Sequence, residues 1–224
     1  MSSVSRLLCV RSLVLCLAAS LTALLTTSAA HAQASTGTSA LDRHLERMDF
    51  GVGAAGNFTH DVSGTNYLGV PVEQNTSDTI GALIEVRYTK SPWVGGAVNF
   101  GYARYSHNFS EYILGGAQTN TFEVTVGYLA HPTHPIAGLQ PFFGGGGGLL
   151  YFHPTSGGGK GLPNQGAGTF YYTAGVEKRI LQHFGLRAQF RQLFYRSPDF
   201  YQNYLNINKR TYTFEPGAGF FIHF

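Results

Sequence analysis

Four glutamates and three arginines, Glu85, Arg87, Glu123, Glu177, Arg187, Arg191 and Glu215, are the residues of this chain best suited to a common chemistry. Each falls on the polar parity of a stretch in which apolar residues alternate with small or polar ones, so all seven would share one face of a β-sheet. Carboxylates and guanidiniums on one enclosed face can pass a proton or an ion, or can pair and fill the space as an internal salt-bridge network. A ring of eight strands is only just wide enough inside for side chains, which leaves no continuous aqueous channel and favours the network. Removing one member, for instance Arg87→Ala, is then expected to strand a charge and cost roughly 3 to 5 kcal/mol.

Other chemical motifs fall away. Gly144 to Gly148 has no following Lys-Ser/Thr, and Gly157 to Lys160 runs into Gly161, so neither makes a phosphate loop. GxSxG and HExxH are absent. His131 and His134 flank prolines in a turn and could hold a surface metal, but solvated turn residues are the commoner case. No cofactor and no metal are therefore expected.

The elements that must carry these residues are strands. In the last stretch Tyr212, Phe214, Pro216, Ala218, Phe220, Ile222 and Phe224 share one parity, opposite Thr213, Glu215, Gly217, Gly219, Phe221 and His223. A chain that stops inside a strand needs that strand paired, and closure of a barrel supplies the partner. The same alternation recurs with Phe50, Val52, Ala54, Gly56 and Phe58, then Ile80 to Tyr88, Val94 to Tyr102, Phe122 to Tyr128, Leu139 to Phe152, Phe170 to Val176 and Leu186 to Phe190. Connections run long, short, long, middling, long, short, long. The long ones are expected as loops over His60 to Ser77, Ser106 to Gln118, His153 to Gln165 and Arg196 to Asn208. Strands of about ten residues suit a tilted bilayer crossing, and an even number returns both ends to one side.

Composition agrees with an all-β class: 29 Gly, 13 Tyr and 17 Phe stand beside only 12% charged residues. Arg6 and Arg11, the apolar Leu13 to Leu25 and Ala30-His31-Ala32 read as a cleaved signal peptide over residues 1–32. Cys9 and Cys16 lie in it, so no cysteine chemistry is expected in the mature chain. Losing its two arginines lowers the formal net charge from +3 to +1, which offers nothing for nucleic acid. Residues 33–47 are expected as a short periplasmic lead-in, 48–224 as the barrel.

Alternation does not by itself say which face is outside, and a lipocalin-like soluble barrel would carry its apolar face inward. The polar parity, however, mixes glycines and hydroxyls with charges of both signs, where a solvated face would carry many lysines. Tyr88, Trp93, Tyr102 and Tyr128 sit near strand ends, where an interfacial aromatic girdle belongs. Apolar outside is the expectation.

From about Asp49 to Phe224 the chain resembles the small bacterial outer-membrane β-barrel domain family, the group that includes the OmpA transmembrane domain and OmpX. The resemblance rests on the alternation, on PFFGGGGG (141–148) and TAGVEKR (173–179), and on the terminal strand. Gly219, Ile222 and Phe224 match the family's terminal pattern, while Gly217 stands where that pattern has a polar residue. The resemblance implies an eight-stranded antiparallel up-and-down transmembrane β-barrel in the outer membrane of a Gram-negative cell envelope, broadly porin-like. It also implies that Gly219, Phe220, Ile222 and Phe224 act as an assembly signal for the barrel-assembly machinery, and that the barrel contacts outer-membrane lipids including lipopolysaccharide. A monomer is the default expectation, with no peptidoglycan-binding domain after the barrel.

Three functions are compatible with that fold. A non-catalytic structural and interaction protein would display four loops, with Tyr67, Tyr112, Ile113, Leu114, Phe200, Tyr201 and Tyr204 giving them apolar surface. A lipid A-modifying enzyme would use rim residues such as His60, Ser63, His107 and Ser110, which lack a compact His-x-Ser pattern. A conduit for small hydrophobic solutes could be lined by Phe143, Leu149 and Phe152, which serve equally as lipid-facing or core residues. The first reading is preferred.

Overall fold

The computed structural model describes residues 39–110, 116–202, 205–207 and 209–224, so the signal-peptide reading lies outside the described residues. The chain divides into Met1–Arg43 and His44–Phe224, and every strand among the described residues belongs to the second part. Among the described residues a six-residue helix, α1 (Ala40–Leu45), starts at a capping box in which Ser39 and Asp42 each accept the other's amide N–H. Eleven strands follow: β1 (Met48–Thr59), β2 (Val62–Asn66), β3 (Pro71–Thr76), β4 (Thr79–Ser91), β5 (Val94–Phe109), β6 (Ala117–Ala130), β7 (Gln140–Pro154), β8 (Gln165–Arg179), β9 (Phe184–Arg196), β10 (Leu205–Asn206) and β11 (Arg210–His223).

Eight of these, β1, β4 to β9 and β11, are 12 to 16 residues long and pair antiparallel in a closed ring. Registration follows from the alternation. Val52, Ile84, Phe100, Val124 and Leu149 are cross-strand neighbours on the outer surface, while Glu85, Asn99 and Thr125 are neighbours on the inner one. A slip of one residue would exchange the two sets, so the pattern fixes the pairing. At one end of the barrel lie both termini of the ring and the short turns at 92–93 and 180–183; at the other lie the long connections.

Two positions show how the ring closes. Inward-facing Gly146 and Gly148 on β7 lie so close to β6 that an added methyl group would collide with the carbonyl oxygens of Val126 and Val124. Only glycine fits that approach, which lets the wall bend tightly. At the seam between β1 and β11, the ladder skips the two positions opposite Glu215 and Pro216. Proline has no N–H for the ladder; beside it, Asn57 folds its amide back onto the Ala55 carbonyl at 3.0 Å.

The long connections depart from the expected loops. His60 to Ser77 holds the β2–β3 hairpin, whose β3 pairs Gln74 and Thr76 with Phe109 and His107 on β5, which continues well past Tyr102. β10 adds to β2, so three short strands extend the wall beyond the ring. Asn66 turns the hairpin by accepting the amides of Leu68 and Val70 at 2.8 and 3.0 Å, with Gly69 at φ +77°.

Candidate functional site

The candidate site is the barrel interior, built in three layers. Nearest the turn end, β4 brings in Glu85 and Arg87, β8 Glu177, and β9 Arg187 and Gln189. Arg87 donates to Glu85 at 3.1 Å, to Glu177 at 3.5 Å and to Gln189 at 3.0 Å. Arg187 donates to Glu177 at 3.1 Å and to Glu85 at 3.3 Å, with Asp49 at 3.9 Å. Aromatic faces complete the layer: Arg87 lies 4.2 Å from the Phe142 ring centroid and Arg187 4.7 Å from that of Phe221. His131, half-buried in the turn below, approaches Glu177 at 4.0 Å; burial holds its imidazole below the usual value, Glu177 opposing the shift and Arg87 adding to it.

The middle layer turns on Arg191, which is 2% exposed. It donates to both oxygens of Glu123 and, at 2.9 Å, to Glu215. Thr125 donates to Glu123 at 2.8 Å, and the Asn99 amide reaches Thr125 and the Tyr171 hydroxyl at 3.0 Å each. A void of about 30 Å³ borders Tyr105, Thr121, Glu123, Arg191 and Glu215, room for a water or two. Arg191 Nε and the Thr121 hydroxyl have no protein partner among the described residues.

The seven charged residues singled out from the sequence thus lie inside the barrel, in two groups. Two arginines meet three carboxylates, counting Asp49, in the lower group; one arginine meets two in the upper. Sequence reasoning overlooked Asp49, Asn99, Gln189 and Tyr171. All four sit on the same parity as the charges and were legible there.

The third layer is apolar. Val62, Val72, Phe109, Leu150, Phe152, Leu193, Tyr195, Phe200 and Ile207 pack together at the loop end. Phe200 was expected as loop surface; it is fully buried, with Gln165 accepting its amide at 2.5 Å and Gln74 holding Ser197 and Pro198 just before it. Below it His107 is 1% exposed, flanked edge-on by Phe152 and Phe200, and burial lowers its imidazole to about 4. Tyr67 and Tyr201 do stand exposed; Tyr112, Ile113, Leu114 and Tyr204 lie outside the described residues.

The rim residues of the enzyme alternative are dispersed in orientation. His60 faces outward, stacked on Tyr212 at 4.7 Å; His107 faces inward; the exposed Ser110 accepts the Glu73 amide; Ser63 is exposed. The conduit residues also split: Phe143 and Leu149 point outward, more than 60% exposed, while Phe152 is buried in the apolar layer. His134 bonds only its neighbour Thr133, and no group of three metal-binding side chains occurs among the described residues.

Outside, Phe50, Ile84, Phe100, Val124, Val126, Leu149, Leu186 and Phe220 are all exposed. Aromatic rows bound this belt. Tyr102, Phe122 and Tyr151 are cross-strand neighbours toward the loop end, as are Phe170, Phe194 and Tyr212; Trp93 and Tyr128 stand toward the turn end. Of the terminal residues, Phe220, Ile222 and Phe224 face outward, and Gly219 lies against the Val52 carbonyl where a methyl group would not fit.

In water such a belt would drive association; in a bilayer it is the required surface. A closed antiparallel ring with ionic layers inside and apolar residues outside is a transmembrane β-barrel. The chain belongs to the outer membrane protein beta-barrel domain family, whose model matches residues 19–220, and its place is the bacterial outer membrane. No curated protein matches it in sequence. Its fold is similar to Neisserial surface protein A (TM-score 0.55, 16% identity, covering 79% of this chain and 97% of that one). It is also similar to the outer membrane protein OprG from Pseudomonas aeruginosa (TM-score 0.57, 14% identity, covering 79% and 95%).

Proposed function

We propose that this chain is a non-catalytic structural and interaction protein: a plugged barrel with its turn end in the periplasm, presenting a folded crown on the cell exterior. The observation that carries the reading is the filled interior. Two ion-paired layers occupy the lumen within the membrane, and an apolar layer under Phe200 covers them. Exposed Tyr67, Leu68 and Val70 at the hairpin tip and Tyr201 beside the mouth give the crown an apolar contact surface. The differing orientations of His60, Ser63, His107 and Ser110 weigh against lipid A chemistry, and the separation of Phe152 from Phe143 and Leu149 weighs against a lined conduit.

The reading includes a monomer, biogenesis through the barrel-assembly machinery with Gly219, Phe220, Ile222 and Phe224 as its signal, and a cleaved signal peptide. Planar bilayers holding the purified protein are expected to show no stable conductance steps, and lipid A mass spectra are expected to be unchanged by overexpression. Regular unitary steps would refute the plug; a new lipid A species would refute the non-catalytic reading.

A further inference from the structure

One piece of the wall is left open. The β8–β9 ladder ends at Thr169 opposite Tyr195, yet β8 continues through Gln165 to Gly168, paired with β7 alone. β9 leaves because Ser197 and Pro198 turn the chain across the mouth, where Gln74 holds both of them. The resulting notch, about 700 Å³, is bounded by Gly166, Gly168, Phe170, Phe194, Arg196 and Arg210. Glycine leaves its floor bare: nothing lies within 4 Å of where a Gly168 side chain would begin.

Arg196 and Arg210 stand directly opposite each other on β9 and β11, both exposed on the outer surface. Neither has an ion pair or a side-chain hydrogen bond among the described residues, and exposed Lys209 is next in the chain. Asp199, the acid of the 197–209 connection, already accepts from the Gln165 side chain and the Tyr201 amide. Like charges placed opposite each other across strands destabilise a sheet until an anion lies between them. The two guanidiniums also sit one step beyond Phe194 and Tyr212, the aromatic row that ends the apolar belt. That is the height of lipid headgroups.

We propose that this notch binds the phosphate groups of an outer-leaflet glycolipid, with Arg196 and Arg210 forming the clamp and Phe170 and Phe194 meeting the upper acyl chains. Guanidinium forks match phosphate oxygens in geometry as well as charge. The inference rests on the outer-membrane reading and deepens it by giving the lipid contact a position and a chemistry.

The test uses the full-length mature protein in phosphatidylcholine nanodiscs, titrated with diphosphoryl lipid A and with its dephosphorylated form. Wild type is expected to bind the phosphorylated form about tenfold more tightly, and Arg196→Gln with Arg210→Gln to erase that preference. Gly168→Leu, which fills the notch, is expected to weaken both forms, while Arg104→Gln, whose guanidinium donates to Asn120 at 2.9 Å, keeps wild-type preference. Equal binding of the two lipids by wild type, or preference surviving in the double variant, would overturn the clamp. Complete displacement of lipid by inorganic phosphate would assign the arginines to free phosphate instead. Heat-modified mobility run alongside separates the two levels: no folded membrane form would sink the barrel reading, whereas a folded barrel without preference sinks only the site.

Discussion

Within the membrane and beyond it, the same strands obey opposite rules. On β5, Asn99 points into the barrel and Phe100 and Tyr102 point out; a few residues on, Tyr105 and Phe109 point in while Arg104 and Asn108 point out. β9 makes the same exchange between Arg191 with Phe190 and Tyr195 with Arg196. Where lipid surrounds the wall, apolar side chains can face outward, and the lumen holds charges that satisfy one another, with the Phe142 and Phe221 rings packed on their guanidiniums. Where water surrounds it, ordinary burial returns and the lumen becomes an apolar core. The aromatic rows mark the crossing, so the solvent outside decides what fills the inside.

The sharpest way to break this contrast is to empty each region separately. Arg191→Ala leaves Glu123 and Glu215 buried without their cation and is expected to cost about 3 to 5 kcal/mol. A lower urea midpoint for loss of the heat-modified form would register it across the whole barrel. Restoring neutrality with Arg191→Leu, Glu123→Gln and Glu215→Gln together is expected to recover most of the loss; no recovery would mean that Arg191 acts by shape and not by charge.

In the crown, Phe200→Ala removes a fully buried ring and is expected to cost about 3 kcal/mol locally. Limited proteolysis of intact cells should then cut within 197–209 while heat-modified mobility stays wild type. Loss of the barrel as well would show that crown and membrane layer fold as one unit.

Acid should distinguish the regions too. His107 carries an imidazole near 4 in the folded crown against about 6.5 when released, so the unfolded crown binds the extra proton between those values. Crown stability is therefore complete above about pH 6.5, falls as pH drops toward 4, and loses on the order of 3 kcal/mol in all. Protease susceptibility at 197–209 should rise across that window and become flat in His107→Phe. The smallest effect is expected at the hairpin tip, where Tyr67→Ser should change stability by less than about 0.5 kcal/mol.

The same contrast explains what could be read from the sequence. The eight long strands were legible because a wall between lipid and a polar lumen enforces strict alternation over a dozen residues, and the seven interior charges fell on one parity. The crown was not. Val62 to Asn66 and Pro71 to Thr76 are short, mixed strands whose partners lie on β5 and β10, and Phe200 is buried by a chain reversal that leaves no periodic trace. The notch was equally hidden, since it arises from where β9 stops pairing and not from any motif.

The hairpin at 62–76 is mounted on β5 through backbone pairs and closed by one asparagine, so its tip takes no part in holding the barrel. The exposed side chains of Tyr67 and Leu68 can therefore change while Asn66, Gly69 and the mount beneath stay as they are. In the proposed orientation those two side chains stand at the outermost edge of the crown, where they can be exchanged without disturbing the wall.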